Sequence, residues 1–433
     1  MSYSEKDAVR RSGLGLGRRE FLKVAAAGAA TAAFPAWGAA GGADRIRVGL
    51  IGCGGRGTGA AVQAIRADPG VVITAMGDLF ADRLDSSLSR LKEHFGDRVE
   101  VGDDRRFTGF DNHQRVIDSG VDVVLLCAPS HFRPAHLAAA VAAGKHIFCE
   151  KPMAVDAPGV RSVIESAEVA RQKKLSLVSG FCWRYSSPER ATFAKIHEGA
   201  IGDVRAVHTT YHAAPIRPPE RKAEWSEMEW QIRNWWHYNW ASGDHIVEQA
   251  CHSVDKINWA MRGKVPARVT ALGGRQARPP ERFGNVYDNF SVIYEYETGE
   301  RCFHTCRQVA NTPFDNTDYI IGAKGTCFVN GWAPTHRIDG ETPWEYKGDR
   351  PNMYQVEHDE LFASIRSGKP IDDGELMTLS TMMSIAGRMA AYTGQTLTWE
   401  QAMNSKEDLT PDRYEFGDIE TAPVPVPGVT PFR

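Results

Sequence analysis

The chain has 433 residues, 51 Lys and Arg against 54 Asp and Glu, a formal net charge of -3 and 42% hydrophobic residues. That length exceeds one compact core and points to two domains, and the globular composition excludes a fibrous or disordered chain. Near-neutral charge gives no purchase on nucleic acid or an anionic membrane, so the expected partners are small molecules.

Near the start, Arg18-Arg19-Glu20-Phe21-Leu22-Lys23 precedes an alanine-rich apolar stretch at 24–33 and small residues at 36–43. This resembles a twin-arginine export signal, with Gly17 where Ser or Thr is usual. The apolar stretch is too short for a bilayer core of about 30 Å. Residues 1–43 are therefore expected to be a signal peptide on a periplasmic or otherwise exported protein, with no membrane insertion once it is removed. Of the eight cysteines, Cys53, Cys127, Cys149 and Cys251 fall on apolar strands or helix faces, which fits reduced core residues rather than a disulfide framework.

The segment 44–180 is expected to be a dinucleotide-binding domain. An apolar strand at 46–51 runs into Gly52-Cys53-Gly54-Gly55-Arg56-Gly57, and a helical pattern of Ala60, Ala61, Ala64 and Ile65 follows. In a strand-turn-helix unit of this kind the glycines permit the tight turn and let a pyrophosphate approach the helix N-terminus. A second strand at 71–75 leads to Asp78, 21 residues after Gly57, where a ribose 2'-hydroxyl needs an acceptor. A third strand at 123–127 ends in Ala128-Pro129-Ser130, and with the following His131 and His136 these residues are assigned to the cofactor. The run then reaches Cys149-Glu150-Lys151-Pro152. A lysine at the carboxyl end of a parallel strand lies at the ligand crevice of a doubly wound sheet; the bland alternative is a solvated strand-end lysine.

From about residue 45 to 391 the chain resembles the glucose-fructose oxidoreductase and inositol dehydrogenase (Gfo/Idh/MocA) family. The resemblance implies an N-terminal Rossmann sheet with NAD as cofactor, NADP being the alternative. It also implies a Glu150-Lys151-Pro152 element that closes the fifth strand and aims Lys151 at sugar and nicotinamide.

After a sixth strand at 175–179, residues 181–433 are expected to form an α+β substrate and oligomerisation domain. Period-2 segments at 204–211, 267–272, 290–296, 302–309 and 318–321 predict a large mixed, mostly antiparallel sheet. Helices at 355–367 and 375–393 are expected to return to the cofactor domain, and the tail from Thr421, with four prolines, to lie extended on a neighbouring subunit of a dimer or tetramer.

The stretch 243–255 reads as one helix with Glu248 and His252 on one face. It is similar to the family's substrate-site helix, which implies that His252 is catalytic, that Glu248 stands in for an aspartate, that Asp244 stands where a second glycine is usual, and that Arg184 also faces substrate. The unperturbed histidine pKa of about 6.5 suits a base that takes a hydroxyl proton. Lys151 then stabilises developing alkoxide, and the sequence leaves open which of Lys151 and His252 takes the proton. Six of the eleven tryptophans fall at 225–259, and Trp236, His237 and Asp244 are expected to meet a carbohydrate ring and its hydroxyls; the bland alternative is core. His208 with His212, and Cys302, His304 and Cys306, share strand faces without a recognised ligand spacing, so no metal is assigned.

The expected function is NAD-dependent oxidation of a carbohydrate or polyol hydroxyl. A glycosidase acting through transient oxidation, elimination and re-reduction uses the same residues, and a non-catalytic sugar-binding protein is the alternative from another class.

Overall fold

The computed structural model describes residues 45–333 and 335–433, and the expected export signal lies outside them. Six short strands form the first sheet: β1 (Ile46–Ile51), β2 (Val71–Gly77), β3 (Arg106–Phe107), β4 (Val123–Leu126), β5 (His146–Cys149) and β6 (Leu177–Ser179). They lie in the order β3-β2-β1-β4-β5-β6 with every pairing parallel. Strands β2 and β4 are buried along their whole length. Apolar runs of this kind arise because helices cover both faces of a parallel sheet. The order reverses between β1 and β4, so the turns after them face one crevice, as in doubly wound sheets that bind dinucleotides.

The second sheet has nine strands: β7 (Val204–Ala213), β8 (Arg268–Gly274), β9 (Asn289–Glu295), β10 (Arg301–Gln308), β11 (Thr317–Gly322), β12 (Gly325–Asn330), β13 (His336–Gly340), β14 (Trp344–Glu345) and β15 (Leu397–Thr398). Its order is β14-β13-β12-β11-β7-β10-β9-β8-β15, antiparallel except for β7 beside β10. One face is sealed by helices Cys251–Ala260 and Gly374–Thr393, whose side chains join one core with Val207, Val292 and Tyr294. The other face leaves Leu272, Phe303, Tyr319 and Ile321 exposed. The fold class is thus a Rossmann sheet followed by an α+β part with a mixed, mostly antiparallel sheet.

Late elements come back to the first sheet. Leu177 donates its N–H to the Ile371 carbonyl (2.8 Å) and accepts from the Asp373 N–H (3.0 Å), which sets residues 371–373 against β6. Helix Met353–Ser367 lies along the first helix, α1 (Gly55–Ala67), where Gln355 donates to the Gln63 carbonyl (3.0 Å) and Arg366 pairs with Asp68 (2.8 Å).

Three sequence expectations change. Residues 243–255 are not one helix: His245–Glu248 ends at Gln249, and a separate helix begins at Cys251. Strands β12 to β14 went unrecognised in the sequence. The tail does not need a neighbour, because it lies on its own chain: Gly428 donates to the Thr393 carbonyl (2.9 Å), Tyr287 Oη to the Pro425 carbonyl (2.8 Å) and Ser405 Oγ to the Arg433 carbonyl (2.7 Å). Cys302, His304 and Cys306 point into the core, with His304 Nδ1 2.9 Å from Thr209 Oγ1, while His208 and His212 lie on the opposite face. Among the described residues no group of His, Cys, Asp or Glu is arranged to hold a metal ion, and no helix is long and apolar enough to cross a membrane.

Burial sets a pH dependence. It holds five imidazoles below the ordinary histidine range: His131 and His336 at about 4, and His237, His304 and His358 at about 3. Unfolded, these rings take up protons below about pH 6.5, whereas folded they remain neutral to about pH 4. Their contribution to stability is therefore complete above pH 6.5 and is lost as pH falls, by up to about 1.4 kcal/mol per pH unit for each ring. The melting temperature should fall between pH 7 and pH 5, with net proton uptake on unfolding measured by calorimetry in buffers of different ionisation enthalpy. Because Asp318, raised to about 6 by burial, acts in the opposite direction, the deciding measurement is direct: imidazole proton resonances of the folded protein titrating with midpoints near about 6.5 would overturn this account.

Candidate active site and cofactor cleft

The turn after β1 leaves no room for side chains where the backbone closes on itself. Gly52 has φ +93° and a Cβ there would lie 2.5 Å from the Ala128 nitrogen, while one on Gly57 would lie 1.8 Å from the Gly52 carbonyl oxygen. Above Gly54 and Gly55, in contrast, there is nothing within 4 Å of an added Cβ. The turn is closed beneath and open above, at the N-terminus of α1, the arrangement that admits a phosphate.

It faces a cleft of about 770 Å³ lined by Gly52 to Thr58, Asp78, Ala128, Pro129 and His136. Asp78 accepts from the Cys53 N–H (2.7 Å) and the Phe80 N–H (2.9 Å), and burial pushes its pKa up against those two bonds. Ser130 is buried with its hydroxyl unpartnered. The His136 ring stacks on His113 at 4.1 Å with Nδ1 unpartnered, and burial keeps it neutral. His131 Nε2 lies 2.7 Å from the Tyr414 hydroxyl. The opposite wall comes from Ile216, Arg217, Pro219 and residues 232–237. Its hold on the first sheet is Arg233, which pairs with Asp82 (2.9 Å) and lies 3.8 Å from the Phe80 ring centroid. Open space over the glycines, unpartnered polar atoms and volume together fit a dinucleotide.

Lys151 leaves the end of β5. Its Nζ donates to the Glu248 carbonyl (2.6 Å) and to Glu248 Oε1 (3.3 Å). The end of the helix at Gln249 makes this possible, since the last carbonyls of a helix have no partner within it. Burial works against the Lys151 charge, but Glu248 and neighbouring acidic groups raise its pKa above the ordinary lysine range. Glu248 is itself pushed upward by burial against the pull of Lys151, and its Oε2 has no partner. The Lys151 N–H donates to Glu150 Oε2 (3.1 Å), and Glu150 Oε1 accepts from Arg56 Nε.

His252 sits in the first turn of helix Cys251–Ala260, its ring 5.3 Å from that of Trp183 and 6.0 Å from that of Phe181. Burial, with Lys151 and Lys256 nearby, lowers its pKa well below the ordinary value, and Nδ1 has no hydrogen-bond partner. A neutral imidazole and a charged ammonium thus stand in one electrostatic environment.

Other expected substrate residues are placed differently. Arg184 spends Nε and Nη2 on the Asp255 carboxylate (2.7 and 2.8 Å) and stacks 4.5 Å from the Trp259 ring centroid, so it braces helix Cys251–Ala260. Asp244 is wholly buried at φ +74°, bonded to the His245 N–H, the Tyr287 N–H (2.7 Å) and the Tyr392 hydroxyl (2.6 Å). It takes the backbone shape a glycine prefers and is held there by those bonds. Trp236 and His237 line the cofactor cleft. Phe181 and Trp183, next to His252, were not singled out in the sequence; their only signal was proximity to Arg184. The Arg56 side chain, expected beside the phosphates, turns toward Glu150 and Glu357 instead.

Comparison with known proteins supports the fold and the cofactor domain. A family model described as "Oxidoreductase family, NAD-binding Rossmann fold" matches residues 46–181, and one described as "GFO/IDH/MocA C-terminal domain" matches residues 190–328. Inositol 2-dehydrogenase 3 of Saccharopolyspora erythraea is 29% identical over 286 residues, 65% of this chain and 72% of that protein. Inositol 2-dehydrogenase of Acidothermus cellulolyticus is 26% identical over 345 residues, 78% of this chain and 90% of that one. Among solved structures, levoglucosan dehydrogenase in complex with NADH and levoglucosan shares the fold at a TM-score of 0.65 and 17% identity, over 82% of this chain and 99% of that one.

The place of Asp78 sets a preference. Its carboxylate, fixed by two N–H groups and lining the cleft, is placed where it would accept from a free 2'-hydroxyl and repel a 2'-phosphate, with Arg83 also lining the cleft as the counterweight. Refolded apoprotein titrated with each dinucleotide should bind NAD at least about tenfold more tightly than NADP, the free energy of one good hydrogen bond to a charged group. Equal affinities would remove Asp78 from this role.

Proposed function

The chain belongs to the GFO/IDH/MocA family of NAD-binding oxidoreductases, and on that premise we propose that it oxidises a secondary hydroxyl of a sugar or cyclic polyol and works outside the cytoplasm with a resident cofactor. The observation that carries the reading is Lys151 Nζ, fixed at the carboxyl end of β5 by both the carbonyl and the carboxylate of Glu248, with His252 close enough to feel its charge. The glycine turn, Asp78 and the Ala128-Pro129-Ser130 turn are the groups placed to hold NAD, which when bound accepts a hydride from the carbinol carbon.

The chain's own part is to manage the proton and the charge. Lys151, charged at any working pH, donates to the reacting oxygen and stabilises its alkoxide character. His252, neutral at working pH, is the group able to take the hydroxyl proton. Glu248 holds the ammonium in place and limits its rotation. Phe181 and Trp183, both buried, pack against the His252 ring and hold it in place.

Export rests on Arg18-Arg19 and the short apolar stretch after it. A protein that leaves the cytoplasm folded has no free nicotinamide nucleotide to draw on, so the cofactor has to stay. The Arg233 to Asp82 pair, which links the two walls of the cleft, supports slow release. The uncovered face of the second sheet supports a homo-oligomer.

Two measurements test this. Lys151→Met and His252→Asn should each slow single-turnover oxidation of the best substrate in a panel of myo-inositol, glucose and levoglucosan by about a hundredfold or more, with NAD still bound. Near-wild-type rates in either variant would remove that residue from the chemistry. Protein purified from the exported fraction and dialysed should contain close to one NAD(H) per chain by acid extraction and mass spectrometry; active exported protein with an empty site would end the resident-cofactor reading.

A further inference from the structure

Arg56 belongs to the phosphate turn by sequence and to the catalytic lysine by contact. Its guanidinium runs beneath the turn: Nε donates to Glu150 Oε1, Nη2 to Glu357 Oε1 (2.8 Å) and Nη1 to Gln63 Oε1 (2.7 Å). Its faces are covered as well, with the central carbon 5.5 Å from the Phe148 ring centroid and 5.3 Å from that of Tyr354. Three of its nitrogens are bonded, which fixes its orientation, although 31% of the side chain stays exposed where it lines the cleft. The two carboxylates it bridges are buried, Glu357 fully and Glu150 at 8% side-chain exposure.

Glu150 is equally constrained. Its second oxygen accepts from the Lys151 N–H (3.1 Å), and the carboxylate lies under Gly180, where an added Cβ would come within 2.5 Å of Oε2. One path of bonded groups therefore runs from the Gly52 to Gly57 turn through Arg56 and Glu150 to the Lys151 main chain, and a branch through Glu357 ties in helix Met353–Ser367.

We propose that Arg56 is a positioning residue for the oxidation: through Glu150 it fixes the main chain of Lys151, and so registers the catalytic ammonium to the turn that holds the dinucleotide phosphates. The inference rests on the oxidoreductase reading above and goes beyond it by joining two motifs that are 94 residues apart. An arginine is suited to this because its planar fork meets three acceptors at once, which a lysine does not.

The test uses full-length Arg56→Gln, Arg56→Lys, Glu150→Gln and the Arg56→Gln/Glu150→Gln double variant. Three quantities are read: NAD affinity of the refolded apoprotein, single-turnover rate at saturating NAD with the best panel substrate, and deuterium exchange at the Lys151 amide with neither cofactor nor sugar present. NAD affinity should stay within about threefold of wild type, while the rate falls about thirtyfold or more in each glutamine variant, as a small misplacement of a reacting group does. The double variant should lose no more than the worse single one, since both cut one path. Arg56→Lys should restore part of the rate, and Lys151 amide exchange should quicken about tenfold in Arg56→Gln. A rate loss matched by an equal loss of NAD affinity, additive losses in the double variant, or unchanged amide exchange each overturns the proposal. Should Arg56→Gln not fold, the exchange and the split between rate and affinity in Arg56→Lys decide it, with the same signs. Should wild type oxidise no member of the panel, the functional reading falls while amide exchange still decides the positioning claim.

Discussion

The ion pair between Lys151 and Glu248 joins the end of the first sheet to a helix that caps the second, and the candidate active site is built around it. Both partners are buried, and charges withdrawn from water are expensive unless further hydrogen bonds compensate them. Here the helix break at Gln249 supplies the compensation, because the freed Glu248 carbonyl is the closer of the two acceptors for Lys151 Nζ. The same residue thus presents two acceptors, one fixed by the backbone and one on a side chain. The carbonyl and the carboxylate together fix the ammonium, and the second carboxylate oxygen, Oε2, is left without a partner.

Most of the first sheet was legible because each of its units is local. Strand, glycine turn and helix follow one another within about thirty residues, and fully buried parallel strands give unbroken apolar runs. The site was legible where it depends on such units: Gly52 to Gly57, Asp78, Glu150 and Lys151 all follow strand ends. Strands β12 to β14 were not: they lie at one edge of the sheet, β14 has only two residues, and β12, though as long as β11, carries Cys327, Phe328 and Val329 in succession, so alternation does not show. The break between Glu248 and Cys251 was not legible either. Neither Gln249 nor Ala250 opposes a helix in isolation, and the interruption is stabilised by Lys151, about a hundred residues earlier.

Misplaced substrate residues share a second cause: sequence shows that a polar or aromatic residue is present, not what it is bonded to. Arg184 and Asp255 look like two separate reactive groups until they are seen to neutralise each other, with Ser380 donating to the same carboxylate (2.6 Å). Asp244 looks like a hydrogen-bonding hand for a sugar, yet three protein donors already fill it. The tryptophans at 235 and 236 sit 4.7 Å apart and shape the wall of the cofactor cleft. For Arg184 and Asp244 the partners Asp255, Tyr287 and Tyr392 lie far along the chain, and burial without such partners would have been too costly to persist.

The distribution of charge gives the two halves of the site different tasks. On the cofactor side, His131 and His136 are kept neutral by burial, so the groups around the dinucleotide change little in charge as pH varies near neutrality. On the substrate side, burial first and then the charges of Lys151, Lys256 and Arg56 keep His252 neutral, while Glu248 works to hold Lys151 charged and Lys256 is bonded to Asp318 (2.6 Å). An acid and a base can coexist side by side at one pH only if their environments drive their proton affinities apart. The carboxylates Glu248 and Asp318, neither of which needs to touch a reacting atom, add to that separation by anchoring the two ammonium groups that flank His252.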